Sequence, residues 1–147
     1  MAGLRIARWR AALAGTGLVL VLAACGGAAT HQLDGAVVIR SADDIALGEE
    51  GGQPVCAGAV NSGYGDIVGG EDIVVRDGNG EELARTTLAI GQPSADGTEC
   101  TFPFAIADLP ETSSYTFTVG ERAPVDYTLD ELRQDDFAIV LALTDPA

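Results

Sequence analysis

The chain contains no lysine, and histidine occurs once, at His31. Tryptophan and methionine also occur once each, at Trp9 and Met1, so nothing after the first nine residues carries either. Each shortage removes a class of chemistry. Nucleophilic catalysis needs an activating base, usually His or Lys, and a single histidine near the start of the chain leaves that role almost unfilled. A tetrahedral zinc site draws on several His and Cys ligands, which one histidine and three cysteines supply poorly. Nucleic acid demands Lys and Arg for its phosphates. Here 22 acidic residues face eight arginines, for a net charge of −14. No apolar run reaches the ~20 residues that a membrane-spanning helix requires. Paired carboxylates could act on a glycosidic bond, but among 22 acids some such pair is unavoidable and carries no information. The expectation is therefore a protein that is not an enzyme, with no catalytic residue, no cofactor, no metal ligand and no nucleic-acid partner.

What is present starts at the N-terminus. Arg5, Arg8 and Arg10 precede a charge-free segment, Ala11 to Ala24, which closes on Leu22-Ala23-Ala24-Cys25. A basic head, an apolar middle and small residues at the cut make up an export signal. With cysteine directly after Leu-Ala-Ala, the segment resembles the lipobox of bacterial lipoproteins. That resemblance implies a diacylglyceryl group on the Cys25 thiol and cleavage just before it. Residues 1–24 are then a signal peptide, 25–35 a flexible tether with a reach of roughly 17 Å, and 36–147 the folded domain. Two or more acyl chains hold a protein stably where one does not. The expected location is the outer face of the cytoplasmic membrane, with the membrane engaged through Cys25 and an envelope protein as the further partner.

Without its first 24 residues the chain keeps five of the eight arginines and all 22 acids, a net charge of −17. Such a surface is solvated and self-repelling, and it gives anionic lipid no electrostatic hold; it would also suit a cation or a basic partner. Cys56 and Cys100 remain once Cys25 is assigned to lipid. Two cysteines in an exported domain read as a disulfide, closing a loop of about 45 residues for roughly 4 kcal/mol in the chain-entropy model.

From Gly35 onward the apolar pattern has period two or comes in short runs between turn signals, which favours strands. Candidates are Ala36 to Arg40, Pro54 to Val60, Asp72 to Arg76, Glu82 to Ile90, a run through Cys100, Phe102, Phe104 and Ile106, another through Tyr115, Phe117 and Val119, and a last one through Phe137, Ile139, Leu141 and Leu143. Asn79-Gly80 supplies the positive φ values of a tight hairpin turn. Pro103 cannot donate to a ladder, which places its strand at an edge or a bulge. The last strand, nearly all apolar, is expected to be central and covered on both faces. Thr128-Leu129-Asp130-Glu131 is a capping box, with Tyr127 and Leu132 placed for a hydrophobic staple, so a short helix leads into that strand. About seven short strands with close turn signals make an all-β protein, a single Ig-like or transthyretin-like β-sandwich; a barrel is the alternative.

The middle of the chain resembles a set of small exported actinobacterial lipoproteins of undetermined function. The residues that carry this are Gly63-Tyr64-Gly65-Asp66-Ile67, Val74-Val75-Arg76-Asp77-Gly78-Asn79-Gly80 and Cys100-Thr101-Phe102-Pro103-Phe104, with Glu131-Leu132 after Tyr127. The resemblance implies a transthyretin-like or carboxypeptidase-regulatory-like sandwich, a fold used for binding and as a spacer, and transfers no catalytic residue.

Asp77-x-Asn79-x-Glu81 copies the start of an EF-hand loop, but its sixth position is Glu82 where Gly is required, and its twelfth is Leu88 where Glu is required. The hairpin explains these residues without an ion. A looser oxygen cage from Asp66, Glu71 and Asp72 is conceivable because three acids crowd the glycine-rich loop Gly63 to Gly70. That loop is the expected binding surface, with Tyr64 as an amphipathic anchor beside Asp66, Glu71 and Asp72. The reading is a non-catalytic binding or accessory module; the alternative is an ion- or small-solute-binding sensor, and third an enzyme using paired carboxylates.

Overall fold

The computed structural model describes residue 27 and residues 29–143. In chain order the strands are β1 (Thr30–Ile39), β2 (Ile45–Glu50), β3 (Gln53–Gly58), β4 (Asp72–Asp77), β5 (Glu82–Thr87), β6 (Gln92–Pro93), β7 (Cys100–Pro110), β8 (Ser114–Val119), β9 (Val125–Thr128) and β10 (Ala138–Leu141), with one helix, α1 (Leu129–Gln134), between the last two. They form a four-stranded sheet in the order β10-β1-β7-β6, a second in the order β5-β4-β8-β9, and a two-stranded ribbon of β2 and β3. The expected all-β sandwich is what the chain adopts.

Its core follows from strand periodicity. On β7, Cys100, Phe102, Phe104 and Ile106 point inward, and on β8 Tyr115, Phe117 and Val119 meet them from the other sheet. Complete burial of rings such as Phe102 and Phe117 contributes about 2–3 kcal/mol apiece. Gly35 makes room for this packing, because a Cβ there would stand 2.1 Å from the Phe104 ring.

The strands define two poles. At the N-terminal pole, Thr30 pairs with Pro110 and Ser114 with Thr128; at the other, Ile39 pairs with Cys100 and Ile73 with Val119. The latter is called the disulfide pole, since Cys56 Sγ and Cys100 Sγ lie 2.00 Å apart. The ten-residue β1 runs from the first to the second over about 33 Å.

Four departures from expectation have physical causes. Of the tether expected over 25–35, Thr30 to Gly35 belong instead to β1. Leu33 is fully buried there, and the His31 ring stacks on Phe137 at 4.1 Å while its Nε2 lies 2.8 Å from Glu111 Oε2. Strand β2 was not anticipated, as only Ile45 of its six residues is buried and its outward face shows no alternation. The last strand is not central. β10 is an edge strand parallel to β1, with Ala138 and Val140 exposed and only Ile139 and Leu141 inward. The strand of Pro103 is not at an edge as expected, since β7 lies between β1 and β6; Pro103 is tolerated because β6 stops before it. β6 covers only Cys100 and Thr101, and the Pro103 carbonyl accepts the Ala89 N–H on that side.

The helix is built as its sequence demands. Thr128 Oγ1 accepts the Glu131 N–H, and the Glu131 carboxylate accepts the Thr128 N–H. Its end is a Schellman arrangement in which Phe137 N–H bonds to Leu132 C=O and Asp136 N–H to Arg133 C=O. Asp136 takes the left-handed position usually given to glycine, at φ 51°. Between the sheets, the chain's passage from β7 to β8 is clamped by Tyr115, whose hydroxyl donates to Pro110 C=O and accepts the Thr112 N–H.

Candidate functional site

The loop between β3 and β4 folds over the disulfide pole rather than standing free of it. Ile67 is its apolar anchor, fully buried, and its carbonyl accepts the Gly58 N–H. Gly58 permits the close approach: a Cβ there would lie 1.7 Å from the Tyr64 carbonyl oxygen. A buried arginine then locks the loop from the β8–β9 connection. Arg122 Nε donates to Asp66 Oδ2 at 2.8 Å, and its Nη2 donates to Asp66 Oδ1 and to the Gly63 carbonyl. Its guanidinium carbon lies 5.1 Å from the centre of the Tyr64 ring, a cation–π contact.

The Arg122 side chain is 1% exposed and that of Asp66 47%, so the pair is half buried. The guanidinium hydrogen bond pulls the Asp66 carboxyl below the ordinary carboxylate range, against a smaller opposing effect of desolvation. Asp66, Glu71, Glu121 and Arg122 line a recess of about 500 Å³. Of the four residues expected at the binding surface, Tyr64, Asp66 and Glu71 are thus brought together. Asp72 is not: it lies at the start of β4 with its carboxylate 3.2 Å from Arg85.

The oxygen cage of Asp66, Glu71 and Asp72 therefore does not assemble, since two of its three carboxylates are bonded to arginines. Among the described residues no group of three His, Cys, Asp or Glu side chains is disposed to hold a metal ion. Asp77 is likewise engaged. Its Oδ1 accepts the N–H groups of Asn79 and Glu81, which lowers its carboxyl from the usual range, Glu81 contributing most. The turn is tied by Gly80 N–H to Asp77 C=O, and only Gly80, not Asn79, has positive φ. That is a longer, bulged hairpin turn rather than the two-residue one that Asn-Gly suggests.

A second concave surface lies beside this loop. The ribbon and the segment joining β5 to β6 form a groove of about 670 Å³ that includes Val55, Ile90 and Glu50, and it continues past Leu47. Cys56 fixes the ribbon to the sandwich through its bond to Cys100 and through its N–H, which donates to Gly91 C=O at 3.0 Å. Gly91 is required here, as a Cβ would stand 2.2 Å from the Cys56 carbonyl oxygen. The loop at residues 94–99 closes the flank, where Ser94 and Thr98 donate to Asp96 and hold its carboxyl down at about 2.

Cys56 and Cys100 pair as expected, while Cys25 lies outside the described residues. Reading the sequence missed Arg122, Leu47 and Ile90. Nothing in it separates Arg122 from the four other arginines after Cys25, and its burial comes from a loop 56 residues earlier. Compared with protein-family models, curated proteins and solved structures, the chain matches none.

Proposed function

We propose that the protein is a lipid-anchored module on the outer face of the cytoplasmic membrane, acting by binding rather than by catalysis. The observation that carries this reading is Leu22-Ala23-Ala24-Cys25 at the end of a charge-free segment headed by three arginines. The disulfide supports it, because such bonds persist in oxidising compartments. So does the disulfide pole, where a loop held in place by Arg122 and a groove held by Cys56 offer preformed surfaces. Preformed surfaces avoid part of the ordering cost of association.

The test is Cys25→Ala, followed by fractionation of cells and by metabolic labelling with a fatty acid. The expected result is loss of label, with the protein either released from the membrane or left unprocessed. Wild-type fractionation and migration of the variant would overturn the reading.

A further inference from the structure

The two sheets turn different faces to solvent. On the second sheet the outward side chains include Asp72 and Arg76 of β4, Arg85 of β5 and Asp126 of β9. On the first sheet, alternation with the buried Val37 and Ile39 turns Ala36 and Val38 of β1 outward. Alternation with Phe102 and Phe104 does the same for Thr101, Pro103 and Ala105 of β7. Ala36 is flanked by Pro103 on one side and on the other by Val140 of β10, which is 50% exposed. The result is an uncharged surface three strands wide, on a chain that after Cys25 has 22 acids and five arginines. Contiguous apolar surface of this kind marks an interaction site where scattered apolar side chains do not.

Along β1 charge returns at the two ends of this surface, with opposite signs. Exposed Asp34 lies three residues before Val37, and exposed Arg40 lies three residues after it, 3.2 Å from Glu99. The pattern is complementary to itself. A two-fold axis crossing β1 at Val37, midway between two such faces, sets β1 antiparallel to its copy. Ala36 then faces Val38 of the other copy, and Asp34 faces Arg40 of the other copy, each contact occurring twice by symmetry. Sheets packed face to face stand about 10 Å apart, a gap that an aspartate and an arginine side chain span together.

We infer that this face pairs with the same face of a second copy, in a two-fold dimer with Ala36, Val38, Pro103 and Val140 at its centre and two Asp34–Arg40 pairs at its ends. A chain this acidic repels itself, so copies meet best where no acid faces another acid, and this face meets that condition. Three strands over the rows from Asp34 to Arg40 cover roughly 300 Å² in plan. A standard interface takes about 800 Å² per partner, so the dimer is of the weak, reversible kind. Because the axis runs across the strands, it can stand normal to a bilayer. Two copies anchored at Cys25 then meet within one leaflet, where confinement raises their effective concentration. The inference goes beyond the reading of an anchored module and does not depend on it.

The test is sedimentation equilibrium of the full-length protein over a concentration series, in an uncharged, density-matched detergent with micelles in large excess. A monomer–dimer equilibrium is expected. Val38→Glu combined with Val140→Glu should weaken it about tenfold or more, by setting like charges against each other. Asp34→Arg should weaken it by a similar factor, although it brings the net charge nearer to zero, and Arg40→Asp should do likewise. The double exchange, Asp34→Arg with Arg40→Asp, should restore it. Leu47→Ser with Ile90→Ser should leave it unchanged. All of the substituted side chains on the paired face point outward, so the variants should fold, and unchanged thermal melts verify that. Monomers at every concentration, a dimer indifferent to the two glutamates, or a double exchange that fails to restore it would overturn the inference. A dimer dissolved by the Leu47/Ile90 variant would also overturn it, by moving the interface to the disulfide pole. Fractionation of Cys25→Ala tests the anchor separately, so either reading can fail without the other.

Discussion

The two poles of the sandwich are held by different means. At the N-terminal pole the links among the described residues are non-covalent: the Tyr115 hydroxyl reaches five residues back to Pro110, the Thr128–Glu131 box and the Schellman end of α1 span a few residues each, and the partly exposed Glu111 carboxylate meets His31 and Arg133 at 2.8 and 3.0 Å. At the disulfide pole the links join distant parts of the chain. Cys56 and Cys100 are 44 residues apart, and Arg122 bonds to Asp66 and Gly63 across 56 and 59 residues. Two long connections lie at this pole, one between β3 and β4 and one between β5 and β7 that carries only the two-residue β6. A loop without a ladder has few backbone bonds to hold it, so a covalent bond and a half-buried ion pair supply what the ladder does not. The lesson is that the pole with the least regular structure carries the strongest single links, and it also carries both candidate surfaces.

The difference can be broken most sharply by chemistry that touches one pole only. Replacing both Cys56 and Cys100 by Ala should lower stability by roughly 4 kcal/mol, for a closed loop of this length. Urea unfolding measures the loss, and reductant should shift wild type but not the variant. Amide exchange should rise first in the ribbon and last around Tyr115.

Asp66→Ala leaves Arg122 buried with one partner fewer. Loss of one member of a buried pair costs several kcal/mol, but the Asp66 carboxylate is half exposed, so about 2 kcal/mol is expected after allowance for solvent. The pH dependence has a definite sign. The folded carboxyl lies below its ordinary value of 3.8, so its stabilisation is present above that value and is lost as pH falls through the lowered folded one. Wild type should therefore lose stability faster than Asp66→Ala on acidification below about pH 4. Parallel slopes in the two unfolding series would show that the ion pair contributes nothing.

Effects at the N-terminal pole should be smaller. Tyr115→Phe strands the Thr112 N–H and the Pro110 carbonyl, for a loss of about 1.5 kcal/mol in thermal or urea unfolding. Thr128→Ala removes the cap of α1 for about 1 kcal/mol. Neither should alter exchange in the ribbon. If Tyr115→Phe proved as costly as the cysteine pair, the contrast between the poles would fail.

Much of this architecture can be read from residue order, because it is local or covalent. The capping box, the hairpin of β4 and β5, the period-two faces of β7 and β8 and the pairing of the two cysteines left after Cys25 all follow from short patterns or elimination. What stayed hidden depends on distant partners. His31 looks like part of a linker until Phe137 and Glu111 are beside it. β10 looks central because its residues are apolar, and that cannot say whether a neighbour exists on its far side. At the candidate site, Tyr64 and Asp66 could be suspected from their glycine-rich loop, but Arg122, which positions both, has no local signature. Leu47 and Ile90 are single apolar residues in unremarkable runs, and their segments are joined only through β3, which pairs with β2 and whose Cys56 N–H bonds to Gly91 C=O.

The parallel pairing of β1 with β10 also bears on the order of events during synthesis. Asp34 lies beside Ala138, so the first strand acquires its outer neighbour only after roughly a hundred further residues exist. Contacts of that separation form late and slow the search for the native state. For the exported chain proposed above, this delay is useful. A polypeptide that crosses a membrane as an extended thread must not finish folding too early, and this sheet stays incomplete until β10 has emerged.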